Sequence, residues 1–214
     1  MRVLVQLKLH PPTFNYDPVY GAVYDYLVLG VPYEQIVKGI ETAVKKPKVR
    51  GYLLELLPLI RDHFSGISPT YIQTVQRRYY SAGKGLMIPF RPPIIYGVNG
   101  VIYFPWFSFW KRNPLGGERL ALFVTIVREV LLQDPDLENA IFQILDFSAT
   151  GPGGTRVLKI IDADEIKQVT DEQKAEMLAI FATGFELAQA ALAGNPPKDA
   201  KKSPKDPNQD DFDF

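Results

Sequence analysis

Along the 214-residue chain the apolar positions switch between a two-residue and a helical period. Val3, Val5, Leu7 and Leu9 alternate with polar neighbours, which predicts a half-buried opening strand. Asp17-Pro18 reads as a helix start with proline at the first helical position, and the helix it opens covers about 19–29 before Gly30. Pro32 opens a second helix with Ile36, Ile40 and Val44 on one stripe. A third covers about 50–64, and Pro58 should kink or restart it. Ser68-Pro69 repeats the cap-and-proline signal. It predicts a helix through Tyr79 or Tyr80, with Ile72, Val75 and Tyr79 on one face and Arg77 and Arg78 at its exit.

From Leu86 the texture becomes that of strands, with prolines at 89, 92, 93 and 105 among β-branched and aromatic residues. Asn99-Gly100 between Ile94-Ile95-Tyr96 and Val101-Ile102-Tyr103-Phe104 predicts a tight hairpin. Leu120, Phe123, Val124, Val127, Val130 and Leu131 recur at helical spacing and stop before Asp134-Pro135. Segments 140–147 and 156–161 read as a second strand pair across Gly151-Pro152-Gly153-Gly154. Thr170-Asp171-Glu172-Gln173 is a capping box that starts a last helix, whose inward face is expected to hold Met177, Ile180, Phe181, Gly184 and Ala188. The order of elements predicts an α+β fold, with antiparallel hairpins packed against helices in one domain over 1–193. Residues 194–214 turn to Pro, Lys, Asp, Asn and Ser, the composition of a disordered linker with an acidic tip.

Composition excludes several function classes. The absence of cysteine removes disulfides and thiolate metal sites. The two histidines, His10 and His63, fall in different segments, so no metal centre and no cofactor is expected. The opening residues lack the long apolar stretch and small-residue cleavage site of a signal peptide, and no run reaches the roughly 18 apolar residues of a membrane span. A soluble cytoplasmic protein is the expectation.

Charge then changes the picture. The formal net charge is zero, yet between His63 and Gly117 the chain has no acidic residue and carries six cations, Arg77, Arg78, Lys84, Arg91, Lys111 and Arg112. The same stretch holds twelve of the twenty-six aromatic residues, including both tryptophans. Residues 118–193 carry a balance of −7. Cations for phosphates and rings for unstacked bases are what a single-stranded nucleic acid requires of a surface. Strand alternation places Tyr103, Pro105, Phe107 and Phe109 on one face of 101–110, and Phe104, Trp106, Ser108 and Trp110 on the other. Both faces are rich in rings, so one is expected to be open to a ligand. Lys111 and Arg112 close this strand, and Arg91 enters the facing one. Arg77-Arg78-Tyr79-Tyr80 leads into Gly83-Lys84-Gly85, a basic, tyrosine-bearing turn that would follow a phosphate chain. It lacks the Gly-Lys-Ser/Thr ending of a P-loop.

The chain ends Asp210-Asp211-Phe212-Asp213-Phe214 after a proline- and lysine-bearing linker. This end resembles the tails of bacterial and phage single-stranded DNA-binding proteins, although Asp213 stands where those tails usually carry proline. The body shows no five-strand OB pattern. The resemblance implies that Asp210, Asp211 and Asp213 supply charge and Phe214, with Phe212, an anchor for replication or repair partners. It also implies competition of the tail with DNA for the basic groove.

The leading expectation is a non-enzymatic single-stranded DNA-binding protein of a replication or recombination system. Arg77, Arg78, Lys84, Arg91, Lys111 and Arg112 would contact phosphates, and Tyr79, Tyr80, Tyr103, Trp106 and Trp110 would stack on bases. One alternative is a protein-interaction or oligomeric subunit that binds no nucleic acid and uses the aromatic surface as its interface. Another is a Mg²⁺-dependent nuclease, with carboxylates of Asp146, Asp162, Asp164 and Glu165 gathered at adjacent strand ends.

Overall fold

A computed structural model describes residues 2–9, 15–90, 94–131 and 133–194. In chain order it contains helices α1 (Arg2–Leu9), α2 (Asp17–Leu27), α3 (Tyr33–Ala43), α4 (Pro47–Leu54) and α5 (Leu57–Phe64). Strands β1 (Tyr71–Gln73), β2 (Arg78–Ser81), β3 (Met87–Phe90), β4 (Ile95–Val98) and β5 (Val101–Ser108) follow. After them come α6 (Glu118–Leu131), β6 (Ile141–Asp146), β7 (Lys159–Asp162) and α7 (Asp171–Gly194). The fold is α+β, with the hairpins the sequence pattern predicts. It divides into two compact units.

The larger unit spans 14–77 and 91–169. Its sheet has the order β1-β4-β5-β6-β7. The Asn99-Gly100 turn forms as predicted: both residues take positive φ (52° and 80°), the left-handed pair a two-residue hairpin demands. β4 and β5 are antiparallel, as are β6 and β7, but β5 and β6 run parallel with α6 as the crossover. β5 is thereby the central strand. Pro105, which has no N–H to donate, lies beyond the last β4–β5 pair and keeps its register with β6, so it makes no bulge.

A central strand in a three-layer arrangement is covered on both faces. On one, Phe107 and Phe109 join Phe64, Leu145 and Phe147 in a core with α2–α5. On the other, Trp106 meets Phe123 of α6 edge-on at 5.0 Å, and Phe104 meets Phe142 at 5.6 Å. The open aromatic face expected of this strand is therefore absent along β5; Val101 at its start and Trp110 beyond its end are exposed. Pro58 restarts the helix as predicted, giving α4 and α5 with a break at Glu55-Leu56.

The smaller unit collects 1–13, 78–90 and 170–214. Two elements here differ from the sequence pattern. Segment 2–9 is helical, and Leu4, Val5 and Leu9 are half-buried on a helix that packs with α7. The helix expected over 68–80 is extended instead. Tyr71-Ile72-Gln73 adds to the edge of β4 in the larger unit, and Arg78–Ser81 pairs with Met87–Phe90 here, the choice that aromatic and β-branched residues favour. The turn between β2 and β3 takes positive φ at Gly83, Lys84 and Gly85. The capping box of α7 forms: Gln173 N donates to Thr170 Oγ1 at 3.2 Å, and Thr170 N donates to Gln173 Oε1 at 3.0 Å. Its expected face holds in part: Ala188 is buried and Met177 and Gly184 are half-buried, but Ile180 and Phe181 are exposed, and Ala182 and Leu192 are buried instead.

Candidate nucleic-acid interface

The exit of β5 is fastened from three directions. The buried Arg156 donates from Nη1 to the carbonyls of Phe109 (2.9 Å) and Phe147 (3.0 Å). Ala149 N donates to the Lys111 carbonyl at 2.9 Å. Asn113 Nδ2 donates to Asp146 Oδ2 at 2.9 Å, and Asn113 Oδ1 accepts from Leu115 N at 2.8 Å. The backbone over 109–113 is thus fixed to the ends of β5 and β6, and Phe109 is locked into the core.

With Phe109 inward, Trp110 turns outward. It is 56% exposed and leans edge-on against Tyr16, ring centroids 6.3 Å apart. Lys111 lies 5.4 Å over the Tyr52 ring and 3.8 Å from Glu55 Oε2. Arg112 is exposed and has no ion-pair partner among the described residues. The same Glu55 oxygen accepts from Arg156 Nε at 3.3 Å, so one carboxylate serves two cations and the patch stays net positive. A fixed, exposed indole between a ring-supported lysine and an open arginine can stack on a base and hold a phosphate.

The remaining expected residues are dispersed. Tyr103 is half-buried and stacks on Tyr96 (5.2 Å, 13°); burial, then the Tyr103 hydroxyl, pushes the Tyr96 phenol up to about 12. Trp106 is half-buried against α6. Arg77 is exposed in the larger unit, whereas Arg78, Tyr79, Tyr80 and Lys84 belong to the smaller one. On β2 the alternation leaves Tyr79 half exposed, with Arg78 and Tyr80 half-buried. Lys84 is engaged: Nζ donates to Glu186 Oε2 at 2.7 Å and to Thr183 Oγ1 at 3.3 Å. Arg91, Asp210, Asp211, Phe212, Asp213 and Phe214 lie outside the described residues.

The carboxylates of the nuclease alternative are not gathered. Asp146 is buried and accepts from Ser148 N, Ser148 Oγ and Asn113 Nδ2, so it ties off the end of β6. The antiparallel register sets Asp146 opposite Lys159 and Asp162 opposite Gln143. The two acids therefore sit at opposite ends of the ladder, about 10 Å apart at some 3.4 Å per residue. Asp162 caps a short 3-10 turn by accepting from Asp164 N, and Asp164 pairs with Arg128. Among the described residues no three His, Cys, Asp or Glu are grouped to hold a metal ion.

Glu55, Tyr52, Asn113 and Arg156 are the site residues that sequence reasoning missed. They come from a helix, a helix break and two loops, and no spacing links them. The lone arginine after a glycine-rich turn, Gly151-Pro152-Gly153-Gly154-Thr155-Arg156, was the one available signal. Scans against family models, curated proteins and solved structures found no match to this chain.

Proposed function

We propose that this protein binds single-stranded nucleic acid, with DNA the favoured form, through the platform at the exit of β5. The observation that carries the reading is the exposed Trp110 between Lys111 and Arg112, on a backbone held by Arg156 and Asn113. Trp110 is the stacking ring and Arg112 the phosphate contact; Lys111 becomes a second contact as it leaves Glu55. Arg77 on the larger unit, and Arg78 and Tyr79 on the smaller one, are further candidate contacts. Tyr103 and Trp106 contribute support rather than stacking, in keeping with their partial burial, and Tyr80 of the smaller unit is half-buried too. The acidic tail, Asp210 to Phe214, docks replication or repair partners and competes for the same cations.

Fluorescence anisotropy with labelled oligo-dT, beside a duplex of equal length and at two salt concentrations, tests this. Full-length protein should prefer the single strand and weaken as salt rises, by the slope of about 0.7 per phosphate contact that single strands give. A chain ending at Gly194 should bind more tightly. Equal or absent binding of both probes by both proteins would remove the reading.

A further inference from the structure

The densest basic run of the chain lies outside the platform, at Lys45-Lys46-Pro47-Lys48-Val49-Arg50 in the larger unit. Between Glu41 and Asp62 it is opposed by a single acid, Glu55. Two of its four cations serve the fold. Lys45 Nζ donates to the Thr42 carbonyl at 2.9 Å and Arg50 Nη1 to the Glu41 carbonyl at 3.3 Å, so both tie off the exit of α3. Lys46 and Lys48 are exposed, and neither has an ion-pair partner among the described residues.

Helix periodicity joins Lys48 to the platform. Lys48, Gly51, Tyr52 and Glu55 stand at i, i+3, i+4 and i+7 of α4 and its C-cap, which puts them on one stripe. Lys111 rests on the far half of that stripe, 5.4 Å over the Tyr52 ring and 3.8 Å from Glu55 Oε2. Lys48 lies back along the axis from Tyr52 by roughly 6 Å, at about 1.5 Å per residue. Between the two cations Gly51 is exposed, and a Cβ built on it would meet nothing within 4 Å. Glycine weakens a helix interior, and no neighbour here requires one. It leaves a bare strip of backbone over which an extended chain can lie close.

We propose that a bound single strand leaves the Trp110 platform along α4, crosses Gly51 and sets a phosphate on Lys48. The inference rests on the platform reading and gives the strand its path. Lys111 and Lys48 take phosphates on either side of the Gly51 gap, and Glu55 stays neutralised by Arg156. Single cations in a row on one helix face follow one phosphate backbone, whereas a duplex presents two. An acidic protein segment would satisfy the lysines but leave Trp110 with no base to stack against it.

Labelled oligo-dT of increasing length, read by fluorescence anisotropy against salt with the full chain, tests the path. Wild-type affinity and salt slope should both rise with length. Lys48→Gln should lower the slope by about 0.7 on long probes and leave the shortest one that binds unchanged. Gly51→Leu adds bulk where a Cβ has open space and removes no charge. It should weaken long probes several-fold while the thermal midpoint holds or rises, because leucine is the better helix former. Gly39→Leu, the same change at an exposed position of α3, is the control and should bind as the wild type does. If either Lys48→Gln or Gly51→Leu binds long probes like the wild type while Trp110→Ala weakens them, the α4 path is overturned and the platform stands. A wild type that binds no probe at any length removes both. A glutamate peptide that binds the wild type and is lost in Lys48→Gln, with oligo-dT unaffected, would assign the stripe to an acidic protein segment and overturn the proposal as well.

Discussion

Arg156 Nε donates to Glu55 Oε2 at 3.3 Å, joining the loop before β7 to the break between α4 and α5. The guanidinium is buried and the carboxylate is half exposed, so the two members are unequal. Removing the arginine strands the buried carbonyls of Phe109 and Phe147, each worth about 1–3 kcal/mol when left without a donor. Arg156→Met should therefore lower stability by roughly 2–4 kcal/mol in urea unfolding. Glu55→Gln leaves those carbonyl bonds in place and should cost about 1 kcal/mol or less, as for other solvated partners.

The same glutamate sets how far Lys111 is available. In Glu55→Gln the lysine loses its 3.8 Å acidic neighbour while Arg112 is unchanged. Oligo-dT binding should tighten at low salt, and the salt slope should steepen by about 0.7, one phosphate's worth. An unchanged slope in a variant that still binds would mean that Lys111 does not touch the backbone of the ligand.

Trp110 and Arg112 act by different physics and should separate experimentally. Trp110→Ala should weaken binding by about 1–3 kcal/mol with little change in salt slope, because stacking releases no counterions. Arg112→Ala should flatten the slope by about 0.7. Both side chains are exposed, so thermal unfolding should barely move in either variant. If both variants bind as the wild type does, the ligand lies elsewhere.

Asp146 accepts bonds from three neutral donors, and an asparagine would turn an amide group towards at least one of them. Asp146→Asn should cost about 1–3 kcal/mol, detected as a lower urea midpoint with an unchanged slope. The nuclease alternative expects something else of this variant: loss of a Mg²⁺-dependent cleavage at unchanged stability.

His63, on α5, packs edge-on against Phe64 at 4.5 Å, and its buried Nε2 has no hydrogen bond. Burial lowers its pKa below the ordinary 6.5. The unfolded chain then takes up a proton near pH 6.5 that the folded chain resists, so the stability due to neutral His63 is complete above that pH and falls below it. Thermal unfolding between pH 7.5 and 5 should show the decline, and His63→Leu should flatten it. Parallel curves for the two proteins would show that another group titrates.

Much of the architecture was legible because it rests on local signals. Pro18 at the first turn of α2, the restart at Pro58, the Asn99-Gly100 turn and the Thr170 capping box each act through their own dihedrals or hydrogen bonds. What failed depended on neighbours distant in sequence. Alternating Val3 to Leu9 became a helix beside α7, and Ser68-Pro69 led into an edge strand because β4 offered one. The parallel β5–β6 pairing was the decisive omission. It centred β5, covered both of its faces, and set Trp106 against α6, while Tyr103 packs on Tyr96 across the predicted hairpin. Trp110 survived as a candidate because it lies past the last strand residue, where the backbone leaves the sheet.

The smaller unit also imposes an order on synthesis. It joins α1 to α7, which begins only after the larger unit has received its last residue, Val169. On the ribosome the larger unit can complete itself while Leu4, Val5 and Leu9 still await the surface that half-buries them. Helix α1 is therefore born early and housed late, and a chain cut short before Asp171 would keep the larger unit's finished sheet and an orphaned α1.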